Sequence, residues 1–454
     1  MLMIVLIFAT FLFYQSTLHY YFISDDFFIL FYDKIHPYLF KIDQYNNHYT
    51  PIIWLFISQL YKTFGLNPIA FHLVTIFVHL INICLVYHLA KIVTDNKIKS
   101  ILSSLFFTFF FGAYEVVFWF GAINNSLMVT FYLLSILSLI KYIKNKTTLS
   151  FLFFQVSFIM AYFTHEYALS IIPTAITYWW LFTAHKKRFE FIKLFSLPVF
   201  TVILTTVLKT IMVKIPLMVR TPSLVKFTAF TLRSFVYLFI PNPYIVDNIP
   251  NFFIPVIFLI ILFFLIKSTR NKLTLFLLIW ATVTIIIYSF TSAPQARYFY
   301  LSFIPVIIYI LSIVKIKKFL TITYLLFIFV SGVIFLHNQK LYWYQSSEIT
   351  KNVIKSITKY KSTQNIDSLY FVNLPDSSND SIWKAYVFRF GFKELLTNVV
   401  HIYPKKIIFL RSFTPTSHTI EAPYLNPSKL KTLINKNTFI FVYQENLKNV
   451  VLLK

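Results

Sequence analysis

Apolar runs of membrane-spanning length recur from residue 2 to about residue 337, separated by short polar loops. The pattern predicts helical spans at roughly 2–22, 68–90, 98–114, 122–140, 148–163, 167–184, 190–213, 251–266, 272–290, 299–314 and 319–337. Two long loops interrupt the series, 23–67 and 214–250. The second contains FTAFTLRSFVYLFI (227–240), apolar enough to tempt a twelfth span; a span there would invert every later loop and put KSTRNK and KIKK outside, so it reads as an interfacial or re-entrant helix. Beyond residue 337 the pattern changes. Short apolar stretches, SLYFVNL (368–374), KKIIFLRSF (405–413) and NTFIFVYQ (437–444), have strand length and sit between turn residues. The expected architecture is a polytopic α-helical membrane domain of about eleven helices (1–337) with a small α/β domain (338–454) outside the membrane.

Composition agrees with the pattern. Of 454 residues, 58% are hydrophobic and 13% charged, with a mean hydropathy of +0.70, whereas a soluble domain approaches a quarter charged. The single cysteine, Cys84, excludes a disulfide framework. The net charge of +25 would suggest nucleic acid in a soluble protein, but here it follows the membrane. Basic residues gather in alternate loops: KIVTDNKIK (91–99), KYIKNK (141–146), HKKRFEFIK (185–193), KSTRNK (267–272) and KIKK (315–318). Such loops stay in the cytoplasm. The N-terminus is then cytoplasmic, and the loops 23–67 and 214–250 and the C-terminal domain are extracytoplasmic, in a plasma (inner) membrane protein.

That topology collects the unusual polar residues on one face. Asp25 and Asp26 open the first outer loop and HYTPIIW (48–54) ends it, with His48 leading and Pro51 placed to start a helix. Glu115 follows the third span. His165 and Glu166 lie between the fifth and sixth, Arg220 and Arg233 in the second long segment, and Arg297 at the mouth of the tenth. Taken singly, each has a plain structural reading: a helix-end cap, a solvated loop residue, an arginine reaching for headgroups. His72, His79 and His88, within one span, read as core histidines, since their spacing offers no shared ligand face. Convergence on one face is what marks a functional site, because ionisable groups near a bilayer are costly.

In order, SDDF, NNHYTPIIW, GLNPIAFHLVTIFVHLINICLVY (65–87), GAYEVVFWFGAINN, THEYALSIIP and QARYFY resemble the GT-C superfamily of membrane glycosyltransferases. The resemblance is to the branch holding bacterial relatives of the protein O-mannosyltransferases and the transmembrane, tetratricopeptide-repeat mannosyltransferases. Gly65, Asn67, Pro68, Phe71, His72, His79, Asn82, Leu85, Val86 and Tyr87 carry its most specific part. The family's element usually begins with Arg where this chain has His48, and no tetratricopeptide repeats follow.

The resemblance implies transfer of a sugar (hexosyl or pentosyl) from a polyprenyl-phosphate donor to an acceptor hydroxyl on the outer face, by inverting displacement. The chemistry needs a base for the acceptor proton and cations for the leaving phosphate. Asp25 matches the first acidic position of the family's pair and is the expected base, with Asp26 holding the loop or a cation. Arg297, Arg220, Arg233 and His48 are the candidates for phosphate. Glu115, His165 and Glu166 are candidates for acceptor or metal support, and a divalent metal ion on Asp25, Asp26 and Glu115 is an open option. The expected partners are the lipid-linked donor, membrane lipids and a glycan, lipid or protein acceptor, with no nucleic acid. The rival readings are a transporter or lipid-carrier flippase, and a lipid-linked oligosaccharide polymerase or ligase. A transporter calls for midplane charges and matching halves; neither is visible in the sequence.

Overall fold

The structure, a computed structural model, describes residues 1–35, 49–183, 188–213, 223–269, 271–290, 295–314, 319–359, 366–412, 415, 418–433 and 438–453. Each of the eleven expected segments contains a helix. Among the described residues, seven helical segments are long and apolar enough to cross a membrane: Leu2–His19, Pro68–Thr94, Phe120–Asn145, Arg188–Ile211, Lys272–Ser289, Ala296–Ile313 and Phe319–Lys359. Thr148–Thr164 and Ile254–Ser268 are shorter apolar helices. The segments expected at 98–114 and 167–184 are broken ones. Lys97–Thr108 is 12 residues and resumes as Ala113–Phe118, while Ile171–Phe182 is entered through the 3₁₀ turn Glu166–Ser170. The chain is thus an integral membrane protein, with helix breaks where its polar residues cluster.

Described residues of the basic loops reach the ends of neighbouring helices. The Lys99 ammonium donates to the carbonyls of Ser312 (3.4 Å) and Val314 (3.3 Å), and Lys146 pairs with Glu190. The segment 65–87 is structural. Asn67 caps the helix Pro68–Thr94 by accepting the Ile69 amide. Deeper in the bundle, His79 Nδ1 meets the Tyr300 hydroxyl at 2.7 Å. Asn82 donates to that hydroxyl (3.2 Å) and to the Ser126 carbonyl (2.9 Å), and accepts from Thr130 (2.8 Å). These hydrogen bonds tie three helices together where an unpaired polar group would be expensive. His72 and His79 are buried in the core, while His88 is exposed. Aromatic stacking fills the rest, Phe110 on Phe303 at 3.7 Å and Tyr132 on Trp280 at 5.7 Å.

All but the last residue of the segment 227–240 falls within a 16-residue helix, Leu224–Phe239, which is not among the spanning segments. Pro51 starts the helix Pro51–Phe64, as its fixed φ favours.

The C-terminal domain contains the three expected strands, β1 (Ser368–Val372), β2 (Lys406–Leu410) and β3 (Thr438–Gln444), and a fourth, β4 (Asn449–Leu453). The order is β2-β1-β3-β4, with β1 parallel to both neighbours and β4 antiparallel to β3. No linker divides the domains at residue 338. The last spanning helix runs unbroken from Phe319 to Lys359. Its polar-looking second half keeps Trp343, Ile349, Val353 and Ile357 on one buried stripe. Ile349, Val353 and Ile357 join a single core with Leu369, Phe371 and Phe441 of the sheet, and with Phe27, Leu30, Phe31, Ile53 and Ile57 of the first loop, while Trp343 packs into the core of the helical bundle. Burying each such side chain contributes roughly 1.5–3 kcal/mol. The first loop and the C-terminal domain are therefore one packing unit.

Candidate active site

The end of the bundle opposite the basic loops holds a cavity of about 350 Å³ between the membrane helices and the C-terminal domain. Asp25 is the only carboxylate among its described lining residues; Arg297, Arg389 and His165 are the cationic or titratable ones. Rings of Trp54, Trp119, Tyr167, Tyr298, Tyr386 and Phe390 complete much of the wall.

The adjacent acids are parted by the turn between them. Asp26 begins the helix Asp26–Ile35, is fully buried, and turns back to accept the Ile23 amide at 3.0 Å. Burial lifts its carboxyl to about 8. Asp25's charge adds to the rise, and the Ile23 and Gly121 amides and the Trp119 indole offset part of it. Its other oxygen has no well-aligned partner. Asp25 faces the cavity and accepts the Ser24 hydroxyl at 2.9 Å. Burial raises its pKa too, opposed by the Ser24 hydrogen bond and the positive charges of Arg297 and Arg389. A carboxylate of raised pKa is a stronger base.

Arg297 is not a free cation. Its guanidinium lies 3.2 Å from Glu115 Oε1, and its backbone amide donates to Oε2 at 2.8 Å. The Glu115 side chain is only 3% exposed, so removing either partner would strand a buried charge. Arg297 also sits over the rings of Trp119 (5.3 Å) and Tyr298 (5.4 Å). Trp119 can fold into this position because residue 121 is glycine; a Cβ there would lie 2.6 Å from its ring.

The remaining expected residues divide. His165 lines the cavity, caps the following turn by accepting the Tyr167 amide (3.3 Å), and stacks on the Tyr167 ring. Glu166 pairs with Lys209 and accepts the Tyr49 amide at 2.9 Å, fixing the end of the first loop to the helix Arg188–Val213. Arg233 is placed away from the cavity wall. It donates to the carbonyls of Val246 (3.4 Å) and Ile249 (3.2 Å) and to Asn251 (2.8 Å), with Asp247 at 3.8 Å. Asp247 in turn accepts from Tyr237 and from the Trp383 indole, so Arg233 helps join the second long loop to the C-terminal domain. His48 and Arg220 lie outside the described residues.

The three carboxylates proposed for a metal do not form one donor set. Both Glu115 oxygens accept from Arg297, and Asp26 is turned into the protein. Among the described residues no three His, Cys, Asp or Glu side chains are grouped to hold an ion. Asp25, Asp26 and Glu115 therefore do not fit a shared divalent ion.

Three cavity residues come from a place the sequence did not mark. Tyr386, Arg389 and Phe390, in YVFRFGF (386–392), descend from the C-terminal domain. The Ser24 amide donates to the Val387 carbonyl at 2.8 Å. Gly391, at φ +74°, lies so close to Ser24 and Phe28 that a Cβ would meet the Ser24 carbonyl at 2.6 Å. The signal available in the sequence was an arginine between aromatics beside a glycine.

No protein-family model and no curated protein matches the chain at the sequence level. Solved structures do. The crystal structure of ArnT from Cupriavidus metallidurans bound to undecaprenyl phosphate matches over 98% of this chain and 93% of its own, with a TM-score of 0.51 at 11% identity. The apo state of the same protein covers the same shares at a TM-score of 0.47 and 9% identity. At such identity the likeness is one of fold, and it extends through the C-terminal domain. The fold of this chain is that of the undecaprenyl-phosphate-bound ArnT structure.

Proposed function

We propose that this GT-C-fold protein is a membrane glycosyltransferase that moves a sugar from a polyprenyl-phosphate donor to an acceptor hydroxyl, with Asp25 as the base. The observation that carries the reading is the pairing of chemistries in one cavity: a single carboxylate of raised pKa opposite arginines, at one end of a membrane bundle whose fold matches that of ArnT bound to undecaprenyl phosphate. In the step, Asp25 accepts the proton of the acceptor hydroxyl. The acceptor oxygen bonds to the anomeric carbon as the bond from that carbon to the phosphate oxygen breaks, and the electron pair leaves with the polyprenyl phosphate. Asp25 then returns its proton to water. Arg297 stabilises the charge developing on phosphate. Its guanidinium has five N–H donors and shares only part of them with Glu115. The aromatic wall supplies faces for the apolar side of a sugar.

The site faces away from the cytoplasm in this reading, because the basic loops lie at the opposite end of the bundle. The test is direct: incubate membranes containing the protein with polyprenyl-phosphate sugars and follow release of polyprenyl phosphate by mass spectrometry. Release that depends on Asp25 supports the reading. No release from any hexosyl or pentosyl donor, by folded protein supplied with envelope extract as acceptor, overturns it.

A further inference from the structure

The two arginines of the cavity are in different electrostatic states. Arg297 is matched by Glu115 within the protein. Arg389 is exposed to the cavity, has no ion-pair partner among the described carboxylates, and rests on the rings of Tyr386 (4.8 Å) and Phe390 (5.3 Å). Aromatic contact orients a guanidinium without consuming its charge or its N–H groups. It is also near enough to Asp25 for its charge to act there.

The chemistry has a use for such a group. A polyprenyl-phosphate sugar is a phosphodiester with one negative charge. The departing polyprenyl phosphate is a monoester whose second ionisation falls near pH 6, so transfer adds up to one charge at the phosphate. Arg297 can meet that change with its remaining N–H groups, but its charge is already balanced by Glu115; a cation held in place without a partner adds the positive charge that balances the rest.

We propose that Arg389, supplied by the C-terminal domain, is a ligand of the donor's phosphate and takes up the charge gained on departure, so that this domain completes the active site. This inference rests on the polyprenyl-phosphate reading above. The connection is rigid. Ser24, next to the base, is bonded to Val387, and Gly391 packs on the Ser24 carbonyl. Asp25 and Arg389 are thus positioned from a single junction. The domain that the sequence suggests as an appendage holds the phosphate cation and the base at a fixed separation.

The experiment measures binding rather than turnover. Full-length protein in nanodiscs is titrated with undecaprenyl phosphate and, separately, with its monoanionic methyl diester, at pH 5 and pH 8. Arg389→Gln should weaken monoester binding at pH 8 on the order of ten- to a hundredfold, as for loss of a charge-assisted hydrogen bond. It should weaken diester binding much less and flatten the dependence on pH. Arg389→Lys should recover part of the monoester preference, which a purely structural role would not predict. Equal losses for both ligands at both pH values, or no loss at all, overturn the role of Arg389 while leaving the donor class standing. If the wild-type protein binds neither ligand, the donor class itself falls and this inference falls with it. Arg389 is exposed, and an unchanged melting temperature in the Gln variant identifies folded protein.

Discussion

Asp26 should behave as an uncharged structural acid at neutral pH, and its removal should change the pH dependence of stability more than turnover. Its carboxyl is lifted to about 8 from 3.8, principally by burial, so at pH 7 the protonated form prevails by roughly ten to one. The sign follows from linkage. The folded state holds a proton that the unfolded chain releases near pH 4. The stability this contributes is complete below about pH 4 and is lost as pH rises through about 8. Within that window each pH unit costs about 1.4 kcal/mol, or about 3 kcal/mol between pH 5 and pH 7. Asp26→Asn keeps an oxygen to accept the Ile23 amide at 3.0 Å and cannot ionise. Thermal unfolding of purified protein in detergent, scanned from pH 5 to 8, should show the wild type losing stability and the variant losing about 3 kcal/mol less between pH 5 and pH 7. Burial also raises the pKa of Asp25, so the difference between wild type and variant, rather than either curve alone, carries the test. Turnover of Asp26→Asn at pH 7 should stay within about fivefold of wild type, whereas Asp25→Asn should lose on the order of 10²–10⁴. A variant equally destabilised at every pH and inactive would show that Asp26 works as a carboxylate, and the division between the acids would be wrong.

Glu115→Gln leaves the Arg297 guanidinium buried without its counter-charge and should cost about 3–5 kcal/mol, read as loss of melting temperature; a neutral result would mean that water reaches the pair. Arg297→Lys should lose most turnover yet accumulate in membranes normally, since an ammonium cannot reproduce the two-pronged contact with phosphate; full activity would remove Arg297 from the site. Gly391→Ala places a methyl 2.6 Å from the Ser24 carbonyl at a φ of +74°. The backbone alone costs about 1–2 kcal/mol, and turnover should fall at least about tenfold with Asp25 and Arg389 both intact; unchanged kinetics would refute the rigid junction. A reporter active only in the cytoplasm, fused after Lys454, should be silent, and a bright signal would reverse the topology.

What the sequence made legible follows from the range of the interactions. Spans are local, and hydropathy found a helix at each expected place. Charge alternation depends on short loops and gathered Asp25, His165 and Arg297 at one cavity. The pairing of Arg297 with Glu115 was beyond reach, because the partners are 182 residues apart and each reads alone as a site residue. The helix Phe319–Lys359 was cut short at 337 because hydropathy falls there, although Trp343, Ile349, Val353 and Ile357 keep a helical stripe across the boundary. Strand β4 is separated from β3 by the polar QENLKN (444–449), but its own apolar run, VVLL, is only four residues long. Arg389 lay in a domain read for its strands alone.

The doubling of the acid at 25 and 26 has a physical account in the turn that separates them. Ser24 has a φ of +46°, a conformation that disfavours any side chain other than glycine's and persists where surroundings hold it. The surroundings here are specific. The Ser24 amide is bonded to Val387 and its hydroxyl to Asp25. That left-handed residue lets the chain enter the helix Asp26–Ile35 with one carboxyl inward and the next outward. The inward acid, kept protonated by burial, anchors the turn; the outward one faces the cavity. Two ionised carboxylates side by side would repel, and placing one in a site where burial favours its proton removes that repulsion. Since Val387 belongs to the C-terminal domain, the backbone conformation that turns Asp25 to the cavity is held by the same segment that carries Arg389. The sheet domain therefore helps to place the carboxylate proposed as the base.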